Sequence, residues 1–454
     1  MHVKPMQSRE AADLLIAPRW LLPLAPDSTA QQDQAVVITG GRIVAIGPRA
    51  AMEAQFEPRD TVWRADGVLM PGFVNAHTHA SLTLLRGLPV YPPRMRWARE
   101  TLLPAELRWM GRDFVRDGTT LAIAEMLRAG ITTFSGSAAF ADEAARAAAE
   151  TRIRAVIGMP VAETESARAE DSLTHFERAE RLWDGYRTSP WVSLYFELPP
   201  SHEISDRLLT RVRSVADEID ARVAMPLHES DVEVRDALSQ HACRPLQRLA
   251  NLGLLRPGFT ALHMNHLDDS DLELASQTGI AAVASPQSDL RLGSGACPVS
   301  QLSARGVAVG LGTGLPISAG AFDPLAEAKL AAQLHALGRA QMRDGASPEH
   351  PSEFWLGLAT LGGACALGLA ATCGSIEVGK AADLVCIDVD SLASNASETI
   401  AAAVLFSATR RNVTDVWIGG RAAVASGQLL ALDESGLTRL SQQWNERMNT
   451  GGAA

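Results

Sequence analysis

The apolar residues of this chain follow two patterns, and each predicts its own kind of element. From residue 12 to residue 70 they fall in short runs broken by turn formers: DLLIAPRWLLPL, AVVITGGRIVAIG and VWRADGVLM. Runs of this length and make-up predict strands, and Gly40-Gly41 between two of them predicts a tight hairpin. The same style returns near the other end in ADLVCIDVD and VTDVWIGGRAAVASGQ, with Gly419-Gly420 as a second hairpin. Two distant strand-rich segments of one style predict a single small β-module built from both ends of the chain.

Between them the pattern changes. Eight apolar runs recur: GFVNAH, GITTFS, RAVIGMPV, WVSLYFEL, RVAMPLH, FTALHM, IAAVAS and VAVGLGT. Ala- and Leu-rich helical stretches lie between them, such as 139–151, 205–220 and 322–342. Continuous apolar strands alternating with helices imply a parallel sheet covered on both faces. Eight such units predict a (β/α)8 TIM barrel. An open doubly wound sheet is the competing architecture, but no GxGxxG opens the first crossover. The expected class is α/β. Residues 1–70 form the first part of a composite β-sandwich, 71–373 the barrel, 374–432 the second part of the sandwich, and 433–454 a terminal helix and tail.

Composition narrows the partners more than the fold. The 454 residues are 46% hydrophobic and 20% charged, as in an ordinary globular protein, and the net charge of −11 comes with no run of Lys or Arg. A nucleic-acid partner, whose phosphates demand a basic face, is not expected, and neither is an anionic membrane surface. No apolar run reaches the length of a membrane span. The opening MHVKPMQSREAADLL lacks the basic-then-apolar order of a secretion signal. The five cysteines, 243, 297, 365, 373 and 386, include no CxxC pair, so a thiolate zinc site or disulfide framework is not expected. The expected location is the cytoplasm.

In a barrel of this kind chemistry gathers at the carboxyl ends of the strands. His77 and His79 end the first run as an HxH pair, and residues i and i+2 of a strand share a face. His228 and Glu229 end the fifth run, and His263 ends the sixth. A lone histidine in an apolar run is ordinarily a satisfied core residue. Four at matching rims, beside a carboxylate, point to one functional site.

On these stretches the chain resembles the amidohydrolase superfamily, in the branch of aminohydrolases and triazine chlorohydrolases that includes the methylthioadenosine and S-adenosylhomocysteine deaminases. The matching segments are PGFVNAHTHASLTLLRG, HLDDSDLELASQTG, SPQSDLRLGSGACPVSQL, GVAVGLGT, and ATLGGACALGL followed by GSIEVGKAADLVCIDVD. The resemblance implies a metal-bearing barrel with a composite β-sandwich. It implies one divalent metal, zinc first, held by the HxH pair, a fifth-strand His and an eighth-strand Asp. It also implies a fifth-strand Glu as proton shuttle and a sixth-strand His on water or substrate.

Carried over position by position, His77, His79, Glu229 and His263 are present. The fifth-strand ligand position is Pro226, in PLHE, and the eighth-strand Asp position is Gly314, in GLGTGLPIS. Other rim positions depart too. Pro199 and Ala284 stand where the family carries His, in a GPHAPYT-like segment and in HCPxSN, and Gly136 follows FS where relatives often have Asp. Trp97, in RMRWARETLLP, matches a Trp of the family's substrate loop. Two functions follow. The first is a catalytically silent homologue with a degenerate metal site that binds a small-molecule ligand without turnover, forms a homo-oligomer or pairs with an active relative to regulate it, and holds zinc or another divalent metal weakly or not at all. The second is an active metal-dependent hydrolase or deaminase acting on C–N bonds of purine-, pyrimidine- or triazine-like rings. In that case His77, His79 and His228 would hold the metal, with Glu229 shuttling protons and His263 on water or substrate. His228 lies two residues past Pro226, on the same expected face but about 6.6 Å farther along the strand.

Overall fold

The computed structural model describes residues 9–26, 28–163, 175–341, 349–389, 397 and 399–450. Each of the eight apolar runs becomes a strand: Phe73–Thr78, Ile131–Ser137, Arg154–Pro160, Val192–Glu197, Arg222–Leu227, Phe259–His263, Ala281–Ala284 and Ala308–Leu311. They pair in chain order, all parallel, in one eight-stranded sheet. The eighth strand meets the first just past its end, through a parallel bridge between Thr78 and Gly314. The barrel is thus nearly closed, and its interior is filled by Val74, Ala76, Val156, Tyr195, Leu262 and Val283 among others.

The connecting helices fall where the Ala/Leu-rich stretches predict them, at Ala141–Thr151, Asp206–Glu218 and Pro324–Gln341. Local chemistry fixes several of their starts. Ser205 and Ser230 accept the backbone N–H of Leu208 and Glu233, and Asp268 with Asp271 forms a capping box for Asp269–Thr278. The acidic HLDDSDLEL therefore begins a helix, as its charges near a positive helix end suggest.

Strands from both chain ends share a second sheet. Glu10–Leu21, Gln34–Thr39, Arg42–Pro48 and Phe56–Pro71 come from the start, and Leu384–Asp388, Val413–Ile418, Arg421–Ala425 and Gln428–Leu429 from the end. With the short Gln31–Gln32 they make nine strands in one continuous hydrogen-bonded sheet, the two ends joined where Leu384–Asp388 runs antiparallel to Phe56–Pro71. Period-two alternation gives it two apolar faces: Leu14, Ile16, Val36 and Ile38 on one, Leu15, Ala17, Ala35 and Val37 on the other. Gly40 and Gly41 have φ of 59° and 77°, and Gly419 and Gly420 have 53° and 71°, the positive values that a two-residue hairpin turn requires. The terminal helix is Glu434–Thr450, and residues 451–454 of the expected tail lie outside the described residues. No described helix is long and apolar enough to cross a membrane.

A buried ion pair ties barrel to sheet. Arg154, at the start of the third barrel strand, donates from Nε to Asp383 Oδ2 at 2.9 Å, and Asp383 also accepts the Gly419 N–H at 2.7 Å. The two side chains are 11% and 1% exposed. Removing one member of such a pair strands the other charge in a dry place. Asp383→Ala is expected to lower unfolding free energy by about 3–5 kcal/mol in urea melts. The double change Arg154→Met with Asp383→Leu should cost less than that single change.

Candidate active site

The barrel's closure decides how the first-strand histidines sit. Gly314 donates its N–H to the His77 carbonyl at 2.9 Å, and His79 donates to the Gly314 carbonyl at 3.1 Å. Asn75 adds a side-chain clasp, accepting from Thr313 N at 2.9 Å and donating to Thr313 Oγ1 at 2.9 Å. This approach is possible because Gly312 has no side chain: a Cβ there would lie 2.6 Å from the His77 backbone. The HxH pair is therefore tied through its backbone to the eighth-strand end.

Three imidazoles meet at this rim. The His77 ring centroid is 5.0 Å from that of His79 and 5.4 Å from that of His263, both edge-on. His263 Nδ1 contacts Asp289 Oδ1 at 2.8 Å, and its Nε2 lies 3.7 Å from Glu229 Oε1. Asp289 stands on the short helix Pro286–Leu292, directly after the seventh strand. Glu229 is held by its backbone, its N–H donating to Glu233 Oε2 at 2.9 Å. Its carboxylate is engaged by Arg94, whose Nε forms an ion pair with Oε1. Arg94 opens the helical turn Arg94–Trp97 in the connection after the first strand.

His228 is not part of this group. It has φ of 52°, which breaks the strand alternation, so the rule that i and i+2 share a face does not reach it. Its ring is fully buried with both nitrogens in use: Nδ1 faces the His266 carbonyl at 3.2 Å, and Nε2 accepts the Leu246 N–H at 3.2 Å. That pairing defines the neutral Nδ1-protonated ring and leaves no lone pair for a metal. The expected third metal ligand is instead a structural pin between the fifth-strand end and the helix Pro245–Asn251. Trp97 is likewise fully buried, its Nε1 donating to the Pro89 carbonyl at 2.7 Å, and it presents no face to a ligand.

The electrostatics divide the histidines. Burial, aided by the Arg94 and His263 charges, lowers His79 to about 3, and burial with neighbouring His79, His263 and Arg94 holds His77 well below its ordinary value. Burial pulls His263 down too, but the carboxylates of Glu229 and Asp289 outweigh it and raise that ring to about 9. At neutral pH the site presents two uncharged imidazoles as acceptors and one imidazolium as donor.

Do these residues fit the metal that the resemblance implies? Two of four ligand positions are filled, by His77 and His79. Pro226 offers no donor atom, and Gly314 offers only the backbone already used to close the barrel. Glu229, His263 and Asp289 form a group whose ligand atoms lie within 4.8 Å of one another, a donor set that suits a cation by type. In place, however, Nδ1 of His263 is committed to Asp289 and Glu229 to Arg94. The four-ligand site is not met, and the Glu229–His263–Asp289 group takes an ion only by displacing contacts it already has.

Sequence reasoning missed Asp289, Arg94 and Glu197. Asp289 had a signal: ASPQSD ends in Asp where the family's HCPxSN ends in Asn. Arg94 had none beyond nearness to Trp97. Glu197 ends the fourth barrel strand, accepts from the Tyr195 hydroxyl at 3.2 Å, and is pushed by burial to about 7.

The role of His228 is testable through pH. Burial lowers it to about 4 from 6.5, so the unfolded chain binds its proton first as pH falls. Its contribution is complete above 6.5 and is lost as pH falls toward 4. His228→Gln should destabilise the protein at pH 7. In urea melts the gap to wild type should then narrow by about 3 kcal/mol by pH 4.

Comparison with known proteins agrees with this architecture. The amidohydrolase family model matches residues 68–423, and an imidazolonepropionase-like composite domain of bacteria matches residues 35–56. The chain is 32% identical over 443 residues to a 5-methylthioadenosine/S-adenosylhomocysteine deaminase of Teredinibacter turnerae, covering 98% of this chain and 99% of that one. It is 37% identical to the crystal structure of an adenosine deaminase from Xanthomonas campestris with bound zinc, at a TM-score of 0.93 over 98% of this chain and 100% of that one. An atrazine chlorohydrolase of Arthrobacter aurescens complexed with zinc shares the fold, at a TM-score of 0.85 and 19% identity, over 95% of this chain and 99% of that one. By the family model and by its full-length relatives, the chain belongs to the amidohydrolase family.

Proposed function

We propose that this protein takes an adenosine-like nucleoside in the barrel mouth and cleaves the exocyclic C–N bond of the base with water, releasing ammonia. The observation that supports this best is the Glu229–His263–Asp289 array facing His77 and His79 at the rim. The names of the relatives, deaminases matched over nearly their whole length, favour it over a silent homologue. An aminopurine edge offers a ring nitrogen that accepts and an amine that donates. Protonated His263 complements the first, and the neutral rings of His77 and His79 complement the second. Asp289 fixes the His263 ring by binding Nδ1, so Nε2 points its proton at the reacting edge. Glu229, 3.7 Å from that nitrogen, is placed to take a proton from the attacking water and pass it to the leaving amine. It does so once Arg94 releases the carboxylate.

A second reading is binding without turnover, the chain serving as partner or regulator of an active relative. The Arg94–Glu229 ion pair, together with Pro226 and Gly314, favours it. Ammonia release from adenosine and from 5′-methylthioadenosine separates the two. The deaminase reading expects release by the wild type and a loss of about 100-fold or more in Glu229→Gln and in His263→Asn. A nucleoside that raises the melting midpoint yet yields no ammonia leaves only the binding reading.

A further inference from the structure

We infer that the positive charge at the centre of this site is the guanidinium of Arg94, standing where the fold's relatives place a divalent metal ion, and that the protein is complete without metal. The inference rests on the ion pair and the donor set, and it holds with or without turnover.

Three observations converge. First, the donors for a metal are incomplete: Pro226 and Gly314 occupy two ligand positions, and His228 is fully buried with both nitrogens bonded to the backbone. Second, the carboxylate expected to serve the metal-bound water is in ion-pair contact with Arg94, although neither Arg94 Nε nor Glu229 Oε1 makes a hydrogen bond. Arg94 Nε contacts Glu229 Oε1, the Glu229 side chain is 6% exposed and that of Arg94 21% exposed. Glu229 in turn lies 3.7 Å from His263 Nε2, which sets the Arg94 ion pair beside the three rings. Third, the donors that remain are already in contact with one another. Glu229 lies against Arg94 and the His263 ring, and Asp289 binds His263 Nδ1. A divalent ion entering this group has to displace those contacts. A planar guanidinium is suited to this task because it stays charged when buried and is weakly hydrated.

The test is metal content and stability, not activity. Purified full-length protein should hold far less than one divalent ion per chain by elemental analysis. Its melting midpoint should not move with a chelator or with excess zinc. Arg94→Met removes one cation and frees Glu229; its midpoint should fall, and zinc should then raise it by about 3 °C at a hundredfold excess over Kd. If that variant does not fold, Arg94→Met with Glu229→Gln removes both charges of the pair and should fold without metal. About one divalent ion retained per wild-type chain overturns the inference, as does a wild-type midpoint that falls with chelator or rises with zinc. The outcomes stay apart from the deaminase reading. Ammonia release by metal-free protein keeps both. Metal-dependent release sinks the inference alone. Metal-free protein with no release sinks the deaminase reading alone.

Discussion

Everything at the mouth of this barrel depends on how its last strand meets its first. The junction is made by two backbone hydrogen bonds between Gly314 and the strand carrying His77 and His79, reinforced by the Asn75–Thr313 clasp. Parallel strands cannot close a barrel unless the backbones approach within hydrogen-bonding distance, and the side chain missing at Gly312 permits it. The HxH pair is rigid for that reason. Its rings are presented edge-on to His263 as a consequence of strand geometry, before any ligand is considered.

Onto that frame the chain hangs an electrostatic arrangement with little slack. Glu229, His263 and Asp289 are buried, Arg94 is partly so, and each has a counter-charge within contact distance. His263 is raised because Glu229 and Asp289 flank it and outweigh its burial, and His79 is lowered chiefly by burial, with the Arg94 and His263 charges adding to it. The low dielectric that makes such pairs strong also makes a lone member costly. The helix bearing Asp289 is held in turn from below, where Glu327 accepts both the backbone and the side-chain N–H groups of Gln287 at 3.0 Å. Precision at the rim is thus inherited from contacts a turn of helix away.

Much of this was legible from residue pattern alone. The eight apolar runs named the eight barrel strands, and the paired glycines named both hairpins. Continuous buried strands and φ-positive turns leave strong local signals. His77, His79, Glu229 and His263 were named because strand ends are where side chains converge. His228 was misplaced because one positive φ, invisible in sequence, reverses the face to which a side chain points. Arg94 was missed because it reaches the site from a connection whose path is set by tertiary packing, including the burial of Trp97 beside it. Asp289 sat in a motif already quoted, but its meaning depends on the ring it touches.

The glycine at 314 also bears on history. Its φ of 60° is a conformation that acids tolerate better than most residues, so the backbone alone does not bar an aspartate. The obstacle is a neighbour: a Cβ at 314 would lie 3.1 Å from both Cβ and Oγ of Ser288, whose hydroxyl is held at 2.6 Å by Ser318. Ser288 shares a helix with Asp289. A side chain at 314 therefore asks Ser288 to give by a few tenths of an ångström, and Ser288 is the residue before the acid that binds His263, so an acid restored at 314 would be felt at Asp289.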